Sequence, residues 1–172
     1  DRRSAHASRS CEHFVDHAYQ ETIELSRLRL ALADLSRHEK DMVIQYESPE
    51  QLSLANMKWE KSRAEIGKHI AAMLEGDEDE DNPILREMDG KLKAYSEAVE
   101  PVVANIKASG YDSATVANRM LARAHDRFDA LQADITKIEA IVAAEAASLQ
   151  TQEKAASDQT MMGFALALGL AV

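Results

Sequence analysis

With 172 residues the chain is long enough for one domain with a real core. Apolar residues make up 45% and aromatic ones only 5%, with 29% charged, which is the balance of a helical bundle and not of a β-protein. A net charge of −10 argues against a nucleic-acid backbone as the main partner, and the single cysteine excludes an internal disulfide framework.

Helix 1 is predicted from the start of the chain to about Tyr46. Ala7, Cys11, Phe14, Ala18, Glu21, Leu25, Leu28, Leu32, Leu35, Glu39, Met42 and Tyr46 recur in alternating steps of four and three, a heptad seam. No Gly or Pro interrupts it, so one helix of about 70 Å is expected. Ser48-Pro49-Glu50-Gln51 then supplies a cap, a first-turn proline and a capping-box partner for helix 2. That helix carries Leu52, Ala55, Trp59, Ser62, Ile66, His69 and Met73 on one seam and stops at Gly76. The acidic run over 75–81 is read as a solvated loop. A calcium site is its functional alternative, but the spacing is not that of an EF-hand. Asn82-Pro83 restarts the chain as helix 3, with Leu85, Met88, Leu92, Tyr95, Val99, Val102 and Ile106 facing inward. Pro101 is expected to kink it and Ser109-Gly110 to end it. Asp112 or Ser113 caps helix 4, whose seam is Ala117, Leu121, Ala124, Phe128, Leu131, Ile135, Ile138, Val142, Glu145 and Leu149.

The fold class expected is all-α. Short connections force antiparallel neighbours, giving an up-down-up-down four-helix bundle with two long helices (1 and 4) and two short ones (2 and 3). The short pair covers only the far half of the long pair, so a four-helix head on a two-helix stalk is expected. The uncharged run 161–172 is too short to span a bilayer by itself and is read as the start of a transmembrane helix; residues 1–160 then form the bundle domain. A hydrophobic tail packed in an oligomer is the alternative. Ile23, Leu30 and Ile44, spaced by seven or fourteen, form a second stripe on helix 1 that offers a dimer contact.

This layout, with Leu35-Ser36-Arg37-His38-Glu39-Lys40-Asp41-Met42-Val43-Ile44 followed by Trp59, resembles the periplasmic sensor domain of bacterial methyl-accepting chemotaxis proteins. The ten-residue segment looks like the Arg-x-Glu-Lys-Asp stretch common at the end of helix 1 in that family. The resemblance implies a homodimer through helix 1 and flanking transmembrane helices in the bacterial inner membrane. It also implies a small-molecule ligand and signalling by a small displacement of helix 4. The same sensor module occurs on histidine kinases and other receptor outputs, where an amino-acid ligand is possible. A structural helical-bundle protein is the remaining alternative.

Counting equal rise from the far tip puts Glu39 level with Trp59, Val102 and Met120. Near that level the sequence gathers Arg37, Lys40, Lys58, Arg63, Asn118, Arg119 and Arg123, with Thr115, Arg119 and Arg123 spaced by four on one face. Guanidinium groups match carboxylates in bidentate geometry, so a di- or tricarboxylate such as citrate or malate is the expected ligand. The plainer alternative pairs these arginines with local acids, and Arg119 or Arg123 is the expected partner of Glu39, an acid on a core seam. Trp59 and Tyr95 are core aromatics, or line the pocket. His13 with His17, and Glu65 with His69, have a spacing a metal can use, but no metal site, cofactor or catalytic group is expected. There is no glycine-rich phosphate loop and no triad set. Cys11 is read as a small core residue.

Overall fold

The computed structural model describes the backbone of residues 2–76 and 78–169, and side chains within 15–76, 78–152 and 154–157. It is all-α: α1 (Arg2–Ile44), α2 (Pro49–Met73), α3 (Asn82–Lys107), α4 (Ala114–Met120) and α5 (Ala122–Gly169), with no strand among the described residues. The chain divides into two compact units, Thr22–Glu139 and a second made of Asp1–Glu21 with Ala140–Val172.

In the unit Thr22–Glu139 the heptad seams are the core. Leu28 and Leu35 of α1, Leu52, Trp59 and Ile66 of α2, Leu85, Met88, Tyr95 and Val99 of α3, and Leu121, Leu131 and Ile138 on the last segments are all buried. Burying a leucine- or isoleucine-sized side chain contributes about 1.5–3 kcal/mol, so these stripes outweigh the modest helix propensities beneath them.

The helix ends differ from expectation in detail. Ser48 has the extended conformation of a cap, but its side chain makes no capping bond, and Pro49 alone marks the start of α2. Helix α3 begins at Asn82 itself, with Asp81 at the cap position. Helix α2 ends at Met73, and Gly76 takes φ +111, a value that a side chain would strain. Helix α3 runs through Pro101, which is exposed. The Glu97 carbonyl that loses its partner sits, by helix geometry, on the same wet side. Its C-terminus is a Schellman closure: the Gly110 N–H donates to the Asn105 carbonyl at 2.8 Å and the Ser109 N–H to Ile106 at 2.9 Å. The left-handed residue there is Ser109, at φ 55, and not Gly110. A Cβ on Gly110 would lie 2.1 Å from the Asn105 side-chain oxygen, so a side chain there would displace that amide.

The expected fourth helix is two. Ser113 caps α4 by accepting from the Val116 N–H at 3.3 Å. The Leu121 N–H then bonds to Asn118, three residues back, and the four-residue ladder resumes from His125 to Leu121. The tightened turn keeps Ala117, Leu121 and Ala124 all facing the core.

In the second unit, Val142 is buried, while Val15 and Tyr19 are exposed. The side chains of Ala7, Cys11, Phe14 and His13 lie outside the described residues. No described helix is long and apolar enough to cross a membrane. The expected start of a membrane helix at 161–172 falls outside the residues whose side chains are described, and 170–172 lie wholly outside.

Candidate functional site

The buried seam of Thr22–Glu139 carries one polar relay. Glu39 on α1 is only 2% exposed. The Tyr95 hydroxyl of α3 donates to its Oε2 at 2.5 Å, and His125 Nε2 of α5 meets Oε1 at 2.8 Å. The Trp59 indole N–H of α2 donates to the Tyr95 hydroxyl at 3.1 Å. Tyr95 also packs against the rings of Trp59 and Phe128, with centroids 6.0 and 5.9 Å away. Burial, then the Glu39 charge and hydrogen bond, hold the Tyr95 phenol far above its ordinary value, against the opposing Trp59 N–H. The phenol therefore keeps its proton and remains a hydrogen-bond donor.

The expected bridge from Glu39 to Arg119 or Arg123 is not formed; both arginines are exposed and His125 takes their place. The reason is angular. Arg119 and Arg123 each stand two residues from Leu121, about 200° around a helix from that core position, whereas His125 stands four residues after it, one turn along the same face. The level also shifts. Tyr95 and His125 meet Glu39, where equal rise predicts Val102 and Met120, because rise counting assumes level helix ends and the connections 45–48 and 108–113 differ in length.

Of the predicted ligand residues, the fold brings Trp59, Tyr95 and Arg63 together. The Arg63 guanidinium lies 5.1 Å from the Trp59 ring centre and pairs with Glu100 at 2.6 Å. Arg37 stands apart on α1, paired with Asp34 at 2.9 Å. Lys40, Thr115, Asn118, Arg119 and Arg123 are exposed. None of these five lines the groove or the tip cavity described next.

A groove of about 310 Å³ runs between α1 and α2, lined by Ala31, Asp34, Arg37 and His38 on one side and Lys58, Lys61, Ser62 and Glu65 on the other. A cavity of about 580 Å³ at the helix ends is lined by Tyr46, Leu52, Ile106, Lys107 and Tyr111 among others. A third, of about 360 Å³, is acidic, with Asp89, Glu97 and Glu100 beside Arg63 and Lys93. His125 and Lys61 escaped the sequence reading, and His38 entered it only as part of the segment 35–44, not as a site residue. The only signal for them was position: His125 flanks a seam residue, and Lys61 adjoins seam Ser62.

Two further carboxylates anchor the helix sides. Asp134, fully buried, accepts from Lys91 at 2.5 Å and Lys137 at 3.2 Å. Glu24 accepts from Arg27 and meets His69 Nδ1, each at 2.7 Å, while His69 Nε2 lies 3.6 Å from Glu65. Burial raises the Glu24 carboxyl, but the hydrogen bonds and charges of His69 and Arg27 outweigh it and hold the group below its ordinary 4.5. A depressed folded value contributes stability above the unfolded pKa and loses it as pH falls through the folded one. The stability gap between the parent and Glu24→Gln is therefore expected to shrink as pH falls below about 4.5 in urea titrations. A gap independent of pH from 6 to 3 refutes the pairing.

No protein-family model, no curated protein and no solved structure matches this chain.

Proposed function

We propose that the chain is the extracytoplasmic sensor domain of a bacterial transmembrane chemoreceptor, a non-enzymatic binding module for a small organic acid. In this reading Thr22–Glu139 is an antiparallel up-down-up-down four-helix bundle, its long helices being α1 and the α4–α5 pair and its short ones α2 and α3. The observation that supports it best is the Glu39–Tyr95–Trp59–His125 relay, which takes one residue from each of α1, α2, α3 and α5. A satisfied polar network across an apolar core has few alternative arrangements, so helix displacements are stepwise and not graded. A ligand that favours one arrangement shifts α5 relative to α1, by no more than its difference in affinity for the two. The α1 and α5 helices, of 43 and 48 residues, are the elements that would carry the shift toward the inner membrane from the periplasmic side.

The partner is a second copy of the chain. Ile23, Leu30, Arg37 and Ile44 recur every seven residues on α1, and Leu30 and Ile44 are 64% and 68% exposed. An identical helix laid along this stripe buries both.

The test is a thermal-shift and sedimentation screen of the whole chain with citrate, malate and an amino-acid panel. A ligand selective for the folded state raises the midpoint, by about 2.7 kcal/mol of stabilisation at a hundredfold excess over Kd. The sensor reading predicts such a rise with an organic acid, and dimers that Leu30→Glu with Ile44→Glu abolishes. A midpoint unmoved by every carboxylate tested refutes the ligand class; dimers that survive the double variant refute the α1 contact.

A further inference from the structure

We propose that the groove between α1 and α2 is the organic-acid site, with Lys58, Lys61 and Arg37 as its cationic contacts and Ser62 and His38 as its polar floor. The proposal rests on the sensor reading for its ligand class and adds the place.

Charge is the first ground. In a protein of net charge −10, this groove collects Arg37 from α1 and Lys58 and Lys61 from α2. Its own acids are occupied. Asp34 holds Arg37 at 2.9 Å, and Glu65 stands 3.8 Å from Lys68 and 3.6 Å from His69, both outside the groove lining. Lys58 and Lys61 make no ion pair among the described residues. Two like charges three apart on a helix repel each other, and a concave wall concentrates their field on whatever enters. The acidic cavity beside Arg63 offers the opposite surface, so the cationic groove is not a general property of the bundle.

Geometry is the second ground. Ser62 and His38 are both buried and both line the groove. Seam position Ser62 puts a hydroxyl where an apolar residue packs better. His38 spends Nδ1 on Asp41 at 3.4 Å, which leaves Nε2 for an occupant. A floor with a hydroxyl and an imidazole, under a rim of ammonium and guanidinium groups, suits a ligand bearing separated carboxylates and a hydroxyl. Malate and citrate have that pattern. Lys58 and Lys61 take one carboxylate, Arg37 keeps Nη2 on Asp34 and offers its other guanidinium N–H groups to the second, and the floor takes the hydroxyl.

The link to output is direct, because Glu39 of the relay follows His38 on α1. Ligand drawn against His38 therefore acts on the helix position next to the buried carboxylate.

Isothermal titration of the whole chain with malate, citrate and inorganic phosphate tests the site, using the parent, Lys58→Gln with Lys61→Gln, and Arg119→Gln with Arg123→Gln. All four substituted side chains are exposed, so circular dichroism is expected to show unchanged helix content. The groove predicts carboxylate binding that weakens at least tenfold in the lysine variant, persists in the arginine variant and falls with added salt. Binding retained in the lysine variant, or lost in the arginine variant, overturns the groove and leaves the sensor reading standing. No carboxylate bound by the parent, or phosphate bound in preference, overturns the ligand class itself.

Discussion

Glu39→Ala is expected to lower the unfolding free energy by about 2–3 kcal/mol, the cost of leaving a buried hydroxyl without its acceptor and a space where the carboxylate stood. The carboxylate satisfies two groups at once. Removing it strands the Tyr95 hydroxyl, which keeps only the indole N–H pointed at it and has no acceptor for its own proton. The His125 imidazole loses less, because its side chain is 40% exposed and can turn to water. At roughly 2–4 °C per kcal/mol for a chain of this size, the midpoint should fall by on the order of 10 °C. Glu39→Gln keeps an acceptor for Tyr95 and should cost less than half as much, while His125→Ala should cost about 1–2 kcal/mol. Urea unfolding of the three variants checks the order. A loss below about 1 kcal/mol for Glu39→Ala means that the relay does not hold the core together.

Trp59→Ala is the second large effect, at about 3–5 kcal/mol, from lost transfer energy and the cavity left behind. Trp59 is 2% exposed, packs on Tyr95 and lies under Arg63, so its removal opens the apolar layer that shields Glu39 from water. Trp59→Phe keeps most of the volume and loses the donor to Tyr95, so about 1–2 kcal/mol is expected. As the single tryptophan of the chain, Trp59 also reports the transition. Its emission should be blue-shifted in the folded protein and move red on unfolding, and emission already at the solvent-exposed position in native buffer would contradict the buried indole.

The core was legible because it is local. Leu25, Leu28, Leu32 and Leu35 repeat at 3.5-residue spacing, and a helix maps that spacing onto one face whatever its partners are. Pro49 and Ser113 mark helix starts through their own backbone chemistry. The tightened turn at Leu121 was hidden, because both sides of it keep the same inward stripe and the pattern therefore carries no trace of the break. The left-handed Ser109 was hidden as well, since Gly110 beside it is the residue type that ordinarily takes that conformation.

The site divides along the same line. Arg37 and Lys58 stand in the sequence as cations near one level, and the fold sets them across one groove. Arg119 and Arg123 stand there equally well, and the fold turns them to solvent. Composition and heptad spacing by themselves determined an all-α chain, the inward face of each helix and an acid at position 39 that had to be satisfied, because all of these follow from the period of one helix and the cost of a bare buried charge. Only the tertiary structure decided that Tyr95 and His125 satisfy it, and that Lys61 and His38 join Arg37 and Lys58 around one groove. Relative height and rotation between helices are set by packing, and no spacing along a single helix encodes them.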